Sequence, residues 1–149
     1  MRAGTKHDIH PKLVGDQTEA MVIARLVQAG KCVLLPFGEN QRYDLVLDEG
    51  DRFVRVQCKT GRVRNGAIRF NTCSSSYHHP SNQGMKFYQH NYVGQADLFG
   101  VYCPDNDRVY LVPVADVGVR QGFLRVDASR NNQSAGVRWA RDYEVHRPG

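Results

Sequence analysis

The stretch Arg42-Tyr43-Asp44-Leu45-Val46-Leu47-Asp48, followed by Glu49-Gly50-Asp51 and then Arg52-Phe53-Val54-Arg55-Val56-Gln57-Cys58-Lys59-Thr60, reads as two strands joined by a tight turn. Side chains alternate along a strand, so Val54, Val56 and Cys58 line one face and Phe53, Arg55, Gln57 and Lys59 the other. A turn closed at Glu49-Gly50, or over the four residues Asp48 to Asp51, sets Asp44 opposite Arg55. Asp44 then shares a face with Gln57 and Lys59 and lies within diagonal reach of Gln57. An odd loop length without a bulge would move it to the other face. One carboxylate, one amide oxygen and one ammonium are thus expected to converge.

Working outward, Asp16 to Ala29 has helical spacing: Ala20, Ile23, Ala24 and Val27 fall at i, i+3, i+4 and i+7, and Met21, Val22 and Leu26 widen the apolar surface. Asp16 is the expected N-cap, with Glu19 three residues on, and Gly30 the stop. Further strands are expected at Cys32 to Phe37, Asp97 to Cys103 and Arg108 to Val114, the last two joined by a Pro-Asp-Asn-Asp turn. Asn65-Gly66 marks a hairpin. Thr72 to Gly84 reads as a polar loop and Lys86 to Val93 as a short helix. The expected fold class is α/β (α+β): a mixed central sheet flanked by helices, with a β-hairpin attached. Residues 1–149 form a single domain, with 1–12 as an N-terminal arm.

Hydrophobic residues at 41% and charged residues at 23% describe a globular chain. No apolar run approaches the ~18 residues that cross a bilayer, and the first residues lack a secretion signal, so no membrane is involved and the expected location is cytoplasmic. Cys32, Cys58, Cys73 and Cys103 are scattered without a C-x-x-C pair, which argues against a zinc ribbon and for reduced, mostly buried thiols.

The net charge of +5 is unevenly spread. Residues 52–93 hold Arg52, Arg55, Lys59, Arg62, Arg64, Arg69 and Lys86, with His78, His79 and His90, and no Asp or Glu. A block of one sign faces a polyanion, usually nucleic acid, or is simply a solvated basic surface. Closing the hairpin at Asn65-Gly66 sets Arg64 opposite Ala67, Val63 opposite Ile68 and Arg62 opposite Arg69. Val63, Ile68 and Phe70 then face one side and the arginines the other, the form of a ribbon laid in the DNA major groove. Candidate DNA-binding residues are Arg55, Arg62, Arg64, Arg69, Lys86, His78 and His79. His79, His90 and Asn91 also raise an HNH-type metal finger, which lacks a further histidine at suitable distance. Tyr88 and Tyr92 are read as core or interface residues.

An Asp with a second oxygen ligand suits a hard cation such as Mg²⁺, and a neighbouring lysine can orient the attacking water. Glu19 adds a carboxylate from the helix. Each residue also has a structural reading: Glu19 in a capping box, Asp44 in a turn or paired to Arg55 or Arg42, and Gln57 and Lys59 as solvent-facing strand positions. Together they carry a resemblance. Asp44, twelve intervening residues and Gln57-x-Lys59 resemble the core of the PD-(D/E)XK nuclease superfamily, with Gln in the usual Glu place. Gly15-Asp16-Gln17-Thr18-Glu19-Ala20, Gly30, Pro36-Phe37-Gly38-Glu39-Asn40, Arg42-Tyr43-Asp44-Leu45-Val46 and Val56-Gln57-x-Lys59-Thr60 resemble its small group I intron-associated, cyanobacterial-type homing endonucleases. The likeness continues through Asp97 to Pro104, Val109 to Val114 and Gln133 to Tyr143.

The resemblance implies a sequence-specific double-stranded DNA endonuclease dependent on Mg²⁺, with Mn²⁺ as a substitute. Glu19, Asp44 and Gln57 would hold the metal, and Lys59 would be the catalytic lysine. Gln for Glu removes one negative charge, which favours one metal. One site per chain requires at least a dimer to cut both strands, so a homo-oligomer, dimer or tetramer, is expected. The rivals are a Holliday junction resolvase, a DNA-binding module without catalysis, and an RNA-processing nuclease.

Overall fold

The computed structural model describes residues 10–78, 86–128 and 136–146. The helix α1 spans Pro11–Gln28, beginning a turn and more before the expected start at Asp16. Pro11 explains the difference: its fixed φ and missing N–H suit the first helical position, and the His10 ring accepts from the Lys12 N–H at 3.2 Å as a cap. Glu19 therefore sits mid-helix, not in a capping box, and Gly15 is carried inside. The expected arm is helical from Pro11, and its residues 1–9 lie outside the described residues. The helix ends as expected. Gly30 has φ +80°, its N–H donates to the Val27 carbonyl (3.0 Å) and that of Lys31 to the Leu26 carbonyl (2.9 Å), which occupies the last free carbonyls.

Strands β1 (Cys32–Leu34), β2 (Leu45–Asp48) and β3 (Phe53–Thr60) form an antiparallel meander. The turn closes over Glu49 to Arg52, so Val46, not Asp44, stands opposite Arg55, and Leu45 stands opposite Val56. The slip from the expected register is two residues, so every side chain keeps its face. After β4 (Arg62–Arg64), β5 (Ala67–Asn71), β6 (Cys73–His78) and β7 (Lys86–Asn91) come β8 (Leu98–Cys103), β9 (Arg108–Pro113) and β10 (Gln121–Arg125). β8 joins β3 in parallel and β9 joins β8 antiparallel, giving a five-stranded mixed sheet in the order β1-β2-β3-β8-β9.

One face of that sheet receives α1 through Val22 and Leu26, packed with Leu45, Leu47, Val54, Val56 and Val109. Ala20 and Val27, expected in the buried stripe, are exposed, and the buried line runs through Thr18, Val22, Arg25 and Leu26. The polar members are satisfied. Thr18 Oγ1 lies 2.6 Å from Thr60 Oγ1, and Arg25 donates to the carbonyl and carboxylate of Asp107. The other face is covered by a second sheet, β10-β5-β4, where the sequence reading had helices; among the described residues α1 is the one α-helix. Ile68, Phe70 and Leu124 from that sheet pack on Phe99, Val101, Tyr110 and Val112. The hairpin register is as expected: Arg62 opposite Arg69, Val63 opposite Ile68, Arg64 opposite Ala67.

β6 and β7 pair as a separate two-stranded ribbon, in place of the expected polar loop and short helix. Its serines and amides give no apolar periodicity to read, so tertiary contacts hold it. Arg42 is the anchor: it donates to Gln95 Oε1 (2.7 Å), Ser74 Oγ (2.7 Å) and the carbonyls of His90 (3.2 Å) and Asn91 (3.0 Å), and its guanidinium lies 4.0 Å from the Tyr92 ring centroid. Tyr92 is buried, edge-on to Phe99. The thiols are free, but Cys32 is exposed and Cys58 half-buried; only Cys73 and Cys103 are buried as expected.

Two outcomes test this packing. A Cβ on Gly100 would sit 2.8 Å from Val22 Cγ1 and 3.1 Å from Val56 Cγ1, so Gly100→Ala is expected to destabilise the chain by about 1–3 kcal/mol in urea denaturation. Arg42→Ala removes charge-assisted bonds worth about 1.5–3 kcal/mol each. Hydrogen exchange is expected to rise in residues 86–91 while β3 and β8 stay protected; uniform protection throughout would refute the anchoring role.

Candidate active site and nucleic-acid interface

β3 changes partner along its length. Phe53 to Val56 pair with β2, and Val56 to Thr60 pair with β8. Beyond Leu45 the preceding chain peels away, leaving the N–H of Cys58 without a strand carbonyl on that side. The Asp44 carboxylate takes that place, accepting from Cys58 N–H at 2.8 Å, while Asp44 N–H donates to the Val56 carbonyl at 2.9 Å. Continuing the register sets Asp44 level with Gln57, closer than the diagonal expected. Lys59 follows two residues on, on the same face, away from α1.

The surroundings load this place with negative charge. Burial raises the Asp44 carboxyl above the ordinary 3.8, against the opposing pull of the Cys58 amide and the Lys59 ammonium. Glu19, from the middle of α1, is raised above 4.5 by burial, then by the charge of Asp44, then by that of Asp16. The Cys58 thiol is pushed far up by burial and then by both carboxylates. Asp44 and Glu19 line a cleft of about 280 Å³ whose other wall is Leu35, Pro36, Glu39 and Asn40. That loop turns back on itself through Gly38 at φ +92° and Asn40 at φ +80°. Glu39 adds a third acid to the rim, a residue that strand and helix periodicity had no means of placing.

Among the described residues no group of three or more His, Cys, Asp or Glu is set to hold a metal. The fit to a hard cation rests on other features. The two carboxylates that line the cleft, Glu19 and Asp44, are oxygen donors, and few protein ligands suit an ion that keeps several waters. Gln57 is level with Asp44 in the backbone register but is not part of the cleft lining, and neither is Lys59. Lys59 is held from the far side: Nζ donates to the Cys73 carbonyl (3.1 Å) and the Tyr92 hydroxyl (3.3 Å), and lies 4.7 Å from the Tyr92 ring centroid. Asp44 pairs with neither Arg42 nor Arg55.

The expected DNA-binding residues divide. Arg62, Arg64 and Arg69 are exposed together on the outer face of β4 and β5. Arg55 is engaged elsewhere, with Asp97 at 3.2 Å and the Gly94 carbonyl at 3.1 Å. The backbones of His78 and Lys86 pair across the ribbon, and His79 lies outside the described residues. His90 lies 3.3 Å from Ser76 Oγ and stacks on Tyr88, which is exposed. Arg42, an expected alternative partner for Asp44, is instead the link between the Asp44 loop and the ribbon.

No helix is long and apolar enough to cross a membrane among the described residues. A search of curated proteins returned no match. The solved structure of a bacterial homing endonuclease, I-Ssp6803I, aligns with a TM-score of 0.67 over 90% of this chain and 88% of that one, at 21% identity, a likeness of fold. The sequence pattern of the family described as PD-(D/E)XK endonuclease matches residues 9–146, from just before α1 to the end of the described chain, a range that contains Glu19, Asp44, Gln57 and Lys59. On that match the chain belongs to the PD-(D/E)XK endonucleases.

Proposed function

We propose that the protein is a sequence-specific, divalent-metal-dependent endonuclease of the homing type that hydrolyses phosphodiesters of double-stranded DNA. The observation that carries this reading is the Asp44 carboxylate, fixed by the Cys58 amide level with Gln57 and one alternation from Lys59. Glu19, Asp44 and the Gln57 amide oxygen would hold the cation, Mg²⁺ with Mn²⁺ as a substitute. When bound, such an ion lowers the pKa of an attacking water and offsets charge on the phosphate. Lys59 orients that water and places positive charge beside the scissile group, with Tyr92 and the Cys73 carbonyl limiting its rotamers. Arg62, Arg64 and Arg69 supply phosphate contacts. Cutting both strands calls for a homo-oligomer, dimer or tetramer, acting on DNA inside the cell.

Incubated with a randomised duplex pool and Mg²⁺, the protein is expected to create ends at one motif. Lys59→Ala and Asp44→Asn are expected to lower that rate by about 10²–10⁴. Equal cutting by Lys59→Ala would sink the hydrolytic role of the lysine, and preference for branched over plain duplex would make the protein a resolvase.

Metal binding has a readout apart from cleavage. A carboxyl raised on folding favours the fold most at low pH, and that contribution is lost as pH rises through its raised value. Mg²⁺ would offset the carboxylate charge that burial disfavours, so it is expected to raise Tm by several degrees at neutral pH, corresponding to about 2.7 kcal/mol at a hundred-fold excess over Kd. The gain shrinks as pH falls through the raised values, at higher pH than for ordinary carboxylates. No Mg²⁺-dependent shift in wild type, or the same shift in Asp44→Asn, would refute the ligand assignment.

A further inference from the structure

Between the ribbon and the second sheet runs a groove of about 250 Å³, lined by Asn71, Cys73, Ser75, Gln89, Arg120 and Gln121. Three carboxamides, an arginine and a hydroxyl make up its side-chain lining besides the buried Cys73, and it contains no acid. Cross-strand pairing puts them there: Asn71 stands opposite Gln121 at the end of β5, and Ser75 opposite Gln89 on the ribbon. The side chains of Asn71, Ser75, Gln89, Arg120 and Gln121 are exposed. Arg25, Arg42, Arg55 and Arg108, by contrast, are engaged with internal partners.

The floor of the groove is rigid. The Arg120 carbonyl accepts from Thr72 N–H at 2.9 Å, the Gly118 carbonyl accepts from the buried Thr72 hydroxyl, and the Cys73 carbonyl accepts from Lys59. The groove is thus tied by one residue to the proposed catalytic lysine. Arg62 and Arg69 lie on the same outward side of the second sheet, level with one another, and Asn71 is the next outward position along β5. Moving from the hairpin toward Lys59, the surface changes from arginines, which suit phosphates, to carboxamides.

Carboxamides and arginine are the side chains that form paired hydrogen bonds with base edges, Asn and Gln with adenine and Arg with guanine in the major groove. We infer that this groove is a base-reading subsite, in which Asn71, Gln89, Arg120 and Gln121 contact the edges of base pairs next to the scissile phosphate. The inference rests on the DNA-cleavage reading and goes beyond it by assigning where sequence is read.

The test is a binding selection from a randomised duplex pool in EDTA, so that no cleavage is required, using the full chain and the single variants Asn71→Ala, Gln89→Ala, Arg120→Ala and Gln121→Ala. Wild type is expected to enrich one motif. Each variant is expected to lose roughly ten- to hundred-fold of discrimination at one or two adjacent positions while keeping the rest. Gln89→Glu, which can accept but not donate, is expected to exchange an adenine preference for cytosine at its position. Variants that weaken all sequences equally and keep the whole motif would make these residues backbone contacts and overturn the inference, as would a wild-type protein that enriches no motif. A motif that depends on the groove, found in a protein that cuts nothing with Mg²⁺, would leave the subsite standing and overturn the hydrolytic reading instead.

Discussion

One hydrogen bond organises this molecule around its site: the Asp44 carboxylate accepting from the Cys58 amide. A central strand cannot leave a half-buried N–H unpaired without cost, and β3 loses β2 as a partner just where it gains β8. Filling the gap with a side chain rather than another strand leaves the sheet open on that side, and the opening is the cleft. The group that satisfies the backbone is the acid on which the proposed chemistry turns, so the position of the carboxylate is set by the sheet.

Much of this was legible because strand alternation has a period of two. The turn between β2 and β3 takes in Glu49 to Arg52 rather than Glu49-Gly50 or Asp48 to Asp51, and the register shifts by two, yet by alternation Asp44, Gln57 and Lys59 still share a face. The Asn65-Gly66 turn admits little freedom of register, and its three cross-strand pairs followed directly. The start of α1 was misplaced because Asp16 offers a cap on sequence grounds, whereas Pro11 at the first helical turn carries more weight once the chain is packed. The misplaced stripe has a related cause. Thr18 and Arg25 are buried by specific partners, Thr60 and Asp107, which apolar spacing does not reveal.

The ribbon was the larger omission. Ser74-Ser75-Ser76 has neither strand propensity nor an apolar face, so nothing local distinguishes it from a loop. Its pairing with β7 is supported by Arg42, Tyr92 and Lys59, residues separated from Ser74 by many positions and visible as partners only in three dimensions. The basic block was likewise overcounted by composition. Arg52 pairs with Glu49, Arg55 with Asp97, and Lys59 is bound inward, which leaves Arg62, Arg64 and Arg69 as the exposed cations of the hairpin.

Tyr92 connects these layers. Its ring lies under both Arg42 and Lys59, its hydroxyl accepts from Lys59, and its edge packs on Phe99 of the central sheet. Arg42 ties the ribbon to the Asp44 loop, and Lys59 ties the start of the ribbon to β3. A displacement of the ribbon therefore acts on both cations through one ring, and through them on the Asp44 loop and on β3 together. The ribbon and the proposed catalytic groups are mechanically one unit here, because two charges lie against a single buried ring.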